Sequence, residues 1–202
     1  MMGSRYLVTG AGALGVAGLG GTSVYMYGFR GDILETKVRN YFKDQTYMKT
    51  LNSSTQEEWV KFKEFYAHST DEKPKGIDKE QIAKWCEDKL ASRDDSSFEL
   101  VKKWCVIDSR EVQVKAISEG RKIIPVTGEK VDQAWQSAWN RYSSGEAAAR
   151  LRIQDPTFAS GSQYDGASDL KQWCQSKASK SMYEYLGESS GYEKYHAWCT
   201  KE

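Results

Sequence analysis

The stretch Ala83-Lys84-Trp85-Cys86 has a counterpart in Lys171-Gln172-Trp173-Cys174, and reading the two as copies of one unit decides the fold. Working outward, Trp59 is followed seven residues later by Tyr66, then by Trp85-Cys86 and Trp104-Cys105. Downstream, Trp135 is followed seven residues later by Tyr142, then by Trp173-Cys174 and Trp198-Cys199. Six of the seven tryptophans thus fall at matching places, and all four cysteines directly follow a Trp. Self-similarity of this kind marks a duplicated structural unit. The spacings differ between copies, so the extra residues of the second belong in loops.

Each motif reads as helical. Ser54-x-x-Glu57 has the form of a capping box ahead of Trp59, Phe62 and Tyr66, which share one helical face. Asp78-x-x-Gln81 precedes Ile82, Trp85, Cys86 and Leu90; Ser96-x-x-Glu99 precedes Val101, Trp104 and Cys105. In the second copy Ser168 or Asp169 starts the Trp173 helix and Ser190 the Trp198 helix, with Gly145 and Gly187 as stops. Arg121-Lys122-Ile123-Ile124-Pro125 reads as a short extended connector between the copies.

The cysteine positions carry a geometric expectation. Cys86 and Cys105 are about equally far from a turn near Arg93–Asp95, and Cys174 and Cys199 from one near Gly187. In an antiparallel helical hairpin each pair then lies at one height. Facing an oxidising exterior they would form disulfides Cys86–Cys105 and Cys174–Cys199; in a reducing compartment they would be small core residues beside Trp. Both states remain open at this point.

Composition narrows the function classes. Lys+Arg 29 against Asp+Glu 28 leaves a net charge of +1, so no global field draws the chain to nucleic acid. Lys84 and Lys102-Lys103 are too sparse for a basic stripe. Mean hydropathy is −0.70, yet aromatics reach 12%, so large rings supply the core. No CxxC occurs, and His68 and His196 are the only histidines, which leaves no metal-site or nucleophile–base motif. Adjacent acids such as Glu57-Glu58 and Asp94-Asp95 point apart on a helix and read as solvated surface. No catalytic residue, cofactor or small-molecule substrate is expected.

Ahead of the copies, residues 6–29 carry no charge and are bracketed by Arg5 and Arg30. At 1.5 Å per residue such a run crosses a hydrocarbon core of roughly 30 Å. Cleavage as a signal peptide near Ala17 is the alternative. A different class of reading takes Gly10-x-Gly12-x-x-Gly15 after Tyr6–Thr9 as the phosphate turn of a nucleotide-binding oxidoreductase, with Asp32 as the ribose acid. Gly18, Gly20 and Gly21 then stand in the helix that should follow, each costing about 1 kcal/mol there. In a run this rich in glycine the motif arises almost freely.

The Gly/Ala-rich span around Ala11–Gly21, followed by the Lys84-Trp85-Cys86 and Lys103-Trp104-Cys105 helices, resembles uncharacterised paralogous membrane-anchored proteins of haemotropic mycoplasmas. The resemblance implies a surface-exposed, antigenically variable role and carries no active site. It also implies a domain bathed in host fluid, with a host surface or serum protein as partner.

The expectation is therefore mainly α: an N-terminal transmembrane helix followed by two diverged helical repeat units. Its parts are a flank at 1–5, the span at 6–29, a juxtamembrane helix at 30–50, unit 1 at 51–110, a connector at 111–126 and unit 2 at 127–202. Arg30, Lys37, Arg39 and Lys43 after the span favour an inside domain by the positive-charge rule. Long domains translocate largely regardless of such charges, and the outside is preferred. The leading role is a non-enzymatic antigenic, adhesion or host-binding surface protein; the rivals are the oxidoreductase and a cytosol-facing scaffold.

Overall fold

In a computed structural model the chain is described for residues 31–144, 149–155, 158, 166–188 and 190–201. The span at 6–29, the Gly10-Gly12-Gly15 motif and Gly145 lie outside the described residues. Among the described residues no helix is long and apolar enough to cross a membrane.

The described chain is mainly helical, with eight α-helices and four very short strands. In order they are α1 (Leu34–Tyr41), β1 (Met48–Thr50), α2 (Gln56–His68), α3 (Ile82–Leu90), α4 (Phe98–Trp104) and β2 (Val106–Asp108). Then follow α5 (Val112–Ser118), β3 (Lys122–Ile123), α6 (Val131–Ser144), α7 (Gly166–Ala178), α8 (Gly191–Trp198) and β4 (Thr200–Lys201). The second six repeat the first six: helix, strand, three helices, strand.

The correspondence extends to individual hydrogen bonds. The first helix of each copy is tied to the end of its third by Leu34 N–H donating to Ser92 O (2.7 Å) and Val112 N–H donating to Lys180 O (2.8 Å). Ser92 stands six residues after Cys86, and Lys180 six after Cys174. The first strand is tied to the fourth helix by Leu51 N–H to Cys105 O (2.9 Å) and Ile124 N–H to Cys199 O (3.0 Å). The antiparallel registers agree as well, Thr50 opposite Val106 and Ile123 opposite Thr200. Each copy thus closes on itself by pairing its first strand with its last.

Two separate cores follow. Leu34, Val38, Leu51, Phe62, Ile82, Val101 and Trp104 belong to the first; Val112, Ala116, Ile124, Leu170, Tyr195 and Trp198 to the second. Residues 34–50, within the stretch read from the sequence as a juxtamembrane helix, therefore hold α1 and β1 and are built into the first core. Residues 111–126, read from the sequence as a connector, hold α5 and β3 and do the same for the second. The i,i+4 pairs Leu34/Val38 and Val112/Ala116 place one apolar stripe on each short helix, and a stripe without a core partner would leave them unfolded.

Helix starts differ in detail from the capping readings. Asp78 and Gln81 do form a reciprocal box, Gln81 N–H donating to Asp78 Oδ1 (3.0 Å) and Asp78 N–H to Gln81 Oε1 (3.1 Å). Ser54 instead turns to Asn52, and α2 begins after Thr55 with no side-chain cap. Asp94 rather than Ser96 caps the α4 entry, through a 3-10 turn at Asp95–Ser97. The α7 helix starts before Ser168, at Gly166, where a Cβ would lie 2.2 Å from the Trp139 ring. Gly187 sits at φ +93°, a left-handed turn that a side chain strains.

Candidate functional site

The residues singled out by the duplication are brought together copy by copy. Cys86 is bonded to Cys105 and Cys174 to Cys199, with Cα atoms 5.4 and 5.5 Å apart. Both bonds are buried between the third and fourth helices of their copy. The paired rings hold matching backbone carbonyls. Trp59 Nε1–H donates to Asn52 O (3.0 Å) and Trp135 Nε1–H to Pro125 O (2.9 Å). Trp104 Nε1–H donates to Glu72 O and Trp198 Nε1–H to Leu151 O, both at 2.8 Å. Tyr66 meets Trp104 edge-on at 4.8 Å, and Tyr142 meets Trp198 edge-on at 5.3 Å.

These tryptophans are pins: each buries a large ring while its one donor secures the loop entering or leaving the helix. Tyr66 donates to Ile77 O (2.7 Å), whereas Tyr142 Oη accepts from Ile153 N–H (3.3 Å). Trp85 is half-buried, while its counterpart Trp173 is buried with Nε1 unpaired among the described residues.

The second copy also buries charge. Lys177 pairs with Asp155, and Lys194 with Glu188. The Lys194–Glu188 side chains are only 7% and 3% exposed. No ion pair among the described residues of the first copy is so enclosed; Lys102–Glu99, for instance, leaves Glu99 80% exposed. Tyr195, the second copy's counterpart of Val101, is buried enough that its hydroxyl is pushed up to about 12.

Between the copies runs a seam the sequence did not disclose. The 181–186 segment of the second copy lies on α2 of the first. Tyr185 stacks on His68 with centroids 3.9 Å apart and planes 10° from parallel. Lys61 reaches Glu184 at 3.6 Å, and Tyr183 packs against the first core. Met182 N–H donates to Arg110 O (3.0 Å). Arg110 in turn binds Asp108 in bidentate fashion and covers the Tyr47 ring at 3.7 Å. Burial works against the Glu184 charge, but Lys180 and Lys61 outweigh it and hold the carboxyl below its usual range.

A pocket of about 300 Å³ opens on this seam. Its walls come from residues 65–71 and 182–193, more than a hundred positions apart in the chain. No local motif joins them; of the lining residues, the sequence marked His68 as a histidine and Ser190 as a helix start.

On the outer side of α8, Tyr192 donates to Glu119, which also pairs with Lys115 and lies 3.9 Å from His196 Nε2. Burial and the Glu119 carboxylate together push the Tyr192 hydroxyl up. Glu119 is the shared acceptor tying α5 to α8. Among the described residues, no group of three His, Cys, Asp or Glu side chains converges as a metal ion requires. No protein-family model, curated protein or solved structure matches the chain.

Proposed function

We propose that this chain is displayed on the outer side of a membrane, held by residues 6–29, and serves a non-enzymatic antigenic, adhesion or host-binding role. One observation carries the reading: all four cysteines are used in two buried disulfides, one at the same place in each copy. Such bonds form and persist on the oxidising side of a membrane and are reduced in most cytosols. Each also closes a loop, with cysteines 19 and 25 positions apart, worth about 3 kcal/mol by chain entropy. That is a large share of the stability available to units of this size. The pinned cores leave the intervening loops free to change sequence without loss of fold, which suits a surface under selection for variation.

The test is protease treatment of intact cells carrying a C-terminal tag, with a cytosolic protein as leakage control. Loss of the tag supports outside display. A tag that survives on intact cells yet is cleaved after lysis places the domain inside and ends the surface reading.

A further inference from the structure

A cavity of about 370 Å³ in the second copy opens over Ala178 and the Cys174–Cys199 bond. Ile123, Ile124, Pro125, Val126 and Trp135 wall it, and no Asp, Glu, Lys, Arg or His reaches its lining. The duplication shows how it arose. Matching hydrogen bonds set Leu34 against Val112, Leu51 against Ile124 and Asn52 against Pro125. Position by position, the first copy then has Glu35, Thr50, Asn52, Ser53, Glu87 and Leu90. The second has Gln113, Ile123, Pro125, Val126, Gln175 and Ala178, all on the cavity lining. Two carboxylates have become neutral amides, three polar residues have become apolar ones, and Leu90 has shrunk to a methyl. Val101 has become Tyr195, yet the space stays open.

Tyr195 carries the second, independent signal. It lines the cavity and is only 1% exposed. Its hydroxyl makes no hydrogen bond among the described residues, and burial alone acts on its proton. The side-chain atoms there that are both unpaired and wholly sealed are Trp173 Nε1 and Glu188 Oε1. The Tyr195 oxygen therefore keeps an open side, and the cavity is the open space that Tyr195 borders. Of the other polar groups on the lining, Trp135 Nε1–H is spent on Pro125 O, Gln113 donates to Glu111, and Gln175 is exposed to water. A buried tyrosine hydroxyl ordinarily finds a partner. Left without one, it favours whatever supplies an acceptor.

We infer that this cavity binds a small uncharged molecule, an apolar ring or branched hydrocarbon body bearing one hydrogen-bond acceptor for the Tyr195 O–H. The volume falls in the range of small-molecule sites, which join apolar walls to a few placed polar groups. Ionic ligands are rejected, because a charge without a partner is costly to bury. The body rests against Trp135 and Ala178, in space that the first copy gives to the Leu90 side chain. The inference stands apart from the display reading and holds on either side of the membrane.

The test titrates the full chain, held in lipid nanodiscs, with 1-indanone, its hydrocarbon parent indane and its ammonium analogue 1-aminoindane. Binding is read from the methyl resonances of Ile123 and Ile124 on the cavity wall, with Ile82 of the first core as control. 1-Indanone is expected to shift both wall methyls and leave Ile82 unmoved. It should bind at least fivefold tighter than indane and tenfold tighter than 1-aminoindane. Tyr195→Phe is expected to erase the preference for ketone over hydrocarbon. Ala178→Leu, which fills the space, should weaken both ligands tenfold or more. Val126→Ser, a surface change to the first copy's residue type, should weaken both about threefold and keeps the test valid should the Ala178 variant disturb the core. Wall methyls unmoved in folded protein, Ile82 shifting as much as Ile123, or 1-aminoindane binding as tightly as the ketone would each overturn the inference. So would a ketone preference that survives Tyr195→Phe, or affinities unmoved by Ala178→Leu and Val126→Ser. Indane binding as tightly as the ketone would overturn it too, and would point to an acyl chain or an apolar side chain of another protein as occupant.

Discussion

The two copies solve one packing problem with different materials. The first uses bulk: Phe62, Leu90 and Val101 fill its helix contacts. At the matching places the second has Ala138, Ala178 and Tyr195, trading two large aliphatic or aromatic groups for methyls and one small one for a ring. The exchange is not volume-neutral locally. A pocket of about 370 Å³ lies over Ala178, Tyr195 and the Cys174–Cys199 bond. Alongside this looser core stand the enclosed pairs Lys177–Asp155 and Lys194–Glu188, which have no equally buried match among the described residues of the first copy. What both copies keep is the Trp pins and the disulfide. A fold of this size tolerates turnover of ordinary core residues when a covalent bond and a few anchored rings hold its topology.

The comparison is tested hardest at the pins. Trp104→Ala and Trp198→Ala each remove a buried ring and a backbone hydrogen bond, and each is expected to cost about 3–5 kcal/mol. Hydrogen exchange read peptide by peptide should show loss of protection concentrated in 34–108 for the first and 112–201 for the second. Uniform loss across both would show a single cooperative core instead of two.

Next in size is the buried charge. Glu188→Ala strands the Lys194 ammonium in a site 7% exposed, at an expected cost of about 3–5 kcal/mol. Pairing it with Lys194→Met should recover most of that loss in denaturant unfolding, because the penalty comes from the uncompensated charge. A double variant as unstable as the single would mean that the pair positions 186–194 rather than merely neutralising itself.

A gain is expected from importing the first copy's bulk. Ala178→Leu, which sets in the second copy the residue type found at Leu90, should fill part of the 370 Å³ pocket and stabilise by about 1 kcal/mol. A lowered unfolding midpoint would indicate that Tyr195 already claims that space.

The smallest effect concerns the seam. Glu184 is held below the usual carboxylate range in the folded chain, so its contribution is fully present at neutral pH. It is lost as pH falls through that lowered folded value. Lys61→Met should flatten this acid step while shifting the neutral-pH midpoint by less than about 1 kcal/mol, because Lys61 is half exposed. An acid step unchanged in Lys61→Met would assign it to the Lys180 pair alone.

Much of each copy could be read from the chain because rings and cysteines are scarce residues at repeated spacing. Trp59/Trp135, Tyr66/Tyr142 and the Trp-Cys pairs are such residues, and helices hold them at fixed intervals. The strands were legible only in part: the extended reading of Arg121–Pro125 covers Lys122-Ile123 but not its pairing, and Met48-Lys49-Thr50 is too short for alternation to register. The first helix of the second copy was hidden by length as well, its signal reduced to the apolar pair Val112/Ala116; that of the first, Leu34–Tyr41, was expected as a juxtamembrane helix but not as part of the repeat. The ion pairs and the seam pocket depend on tertiary approach between residues with ordinary neighbours. Asp155 with Lys177 and His68 with Tyr185 have no local sequence signature at all.

The claim on which duplication and display both rest is the cysteine pairing. It is most directly tested by blocking free thiols at the moment of cell lysis, then mapping linked peptides without reduction. Recovery of Cys86 joined to Cys105 and Cys174 joined to Cys199, with neither pair alkylated, is the expected result. Four alkylated cysteines, or bonds crossing between the copies, would contradict it.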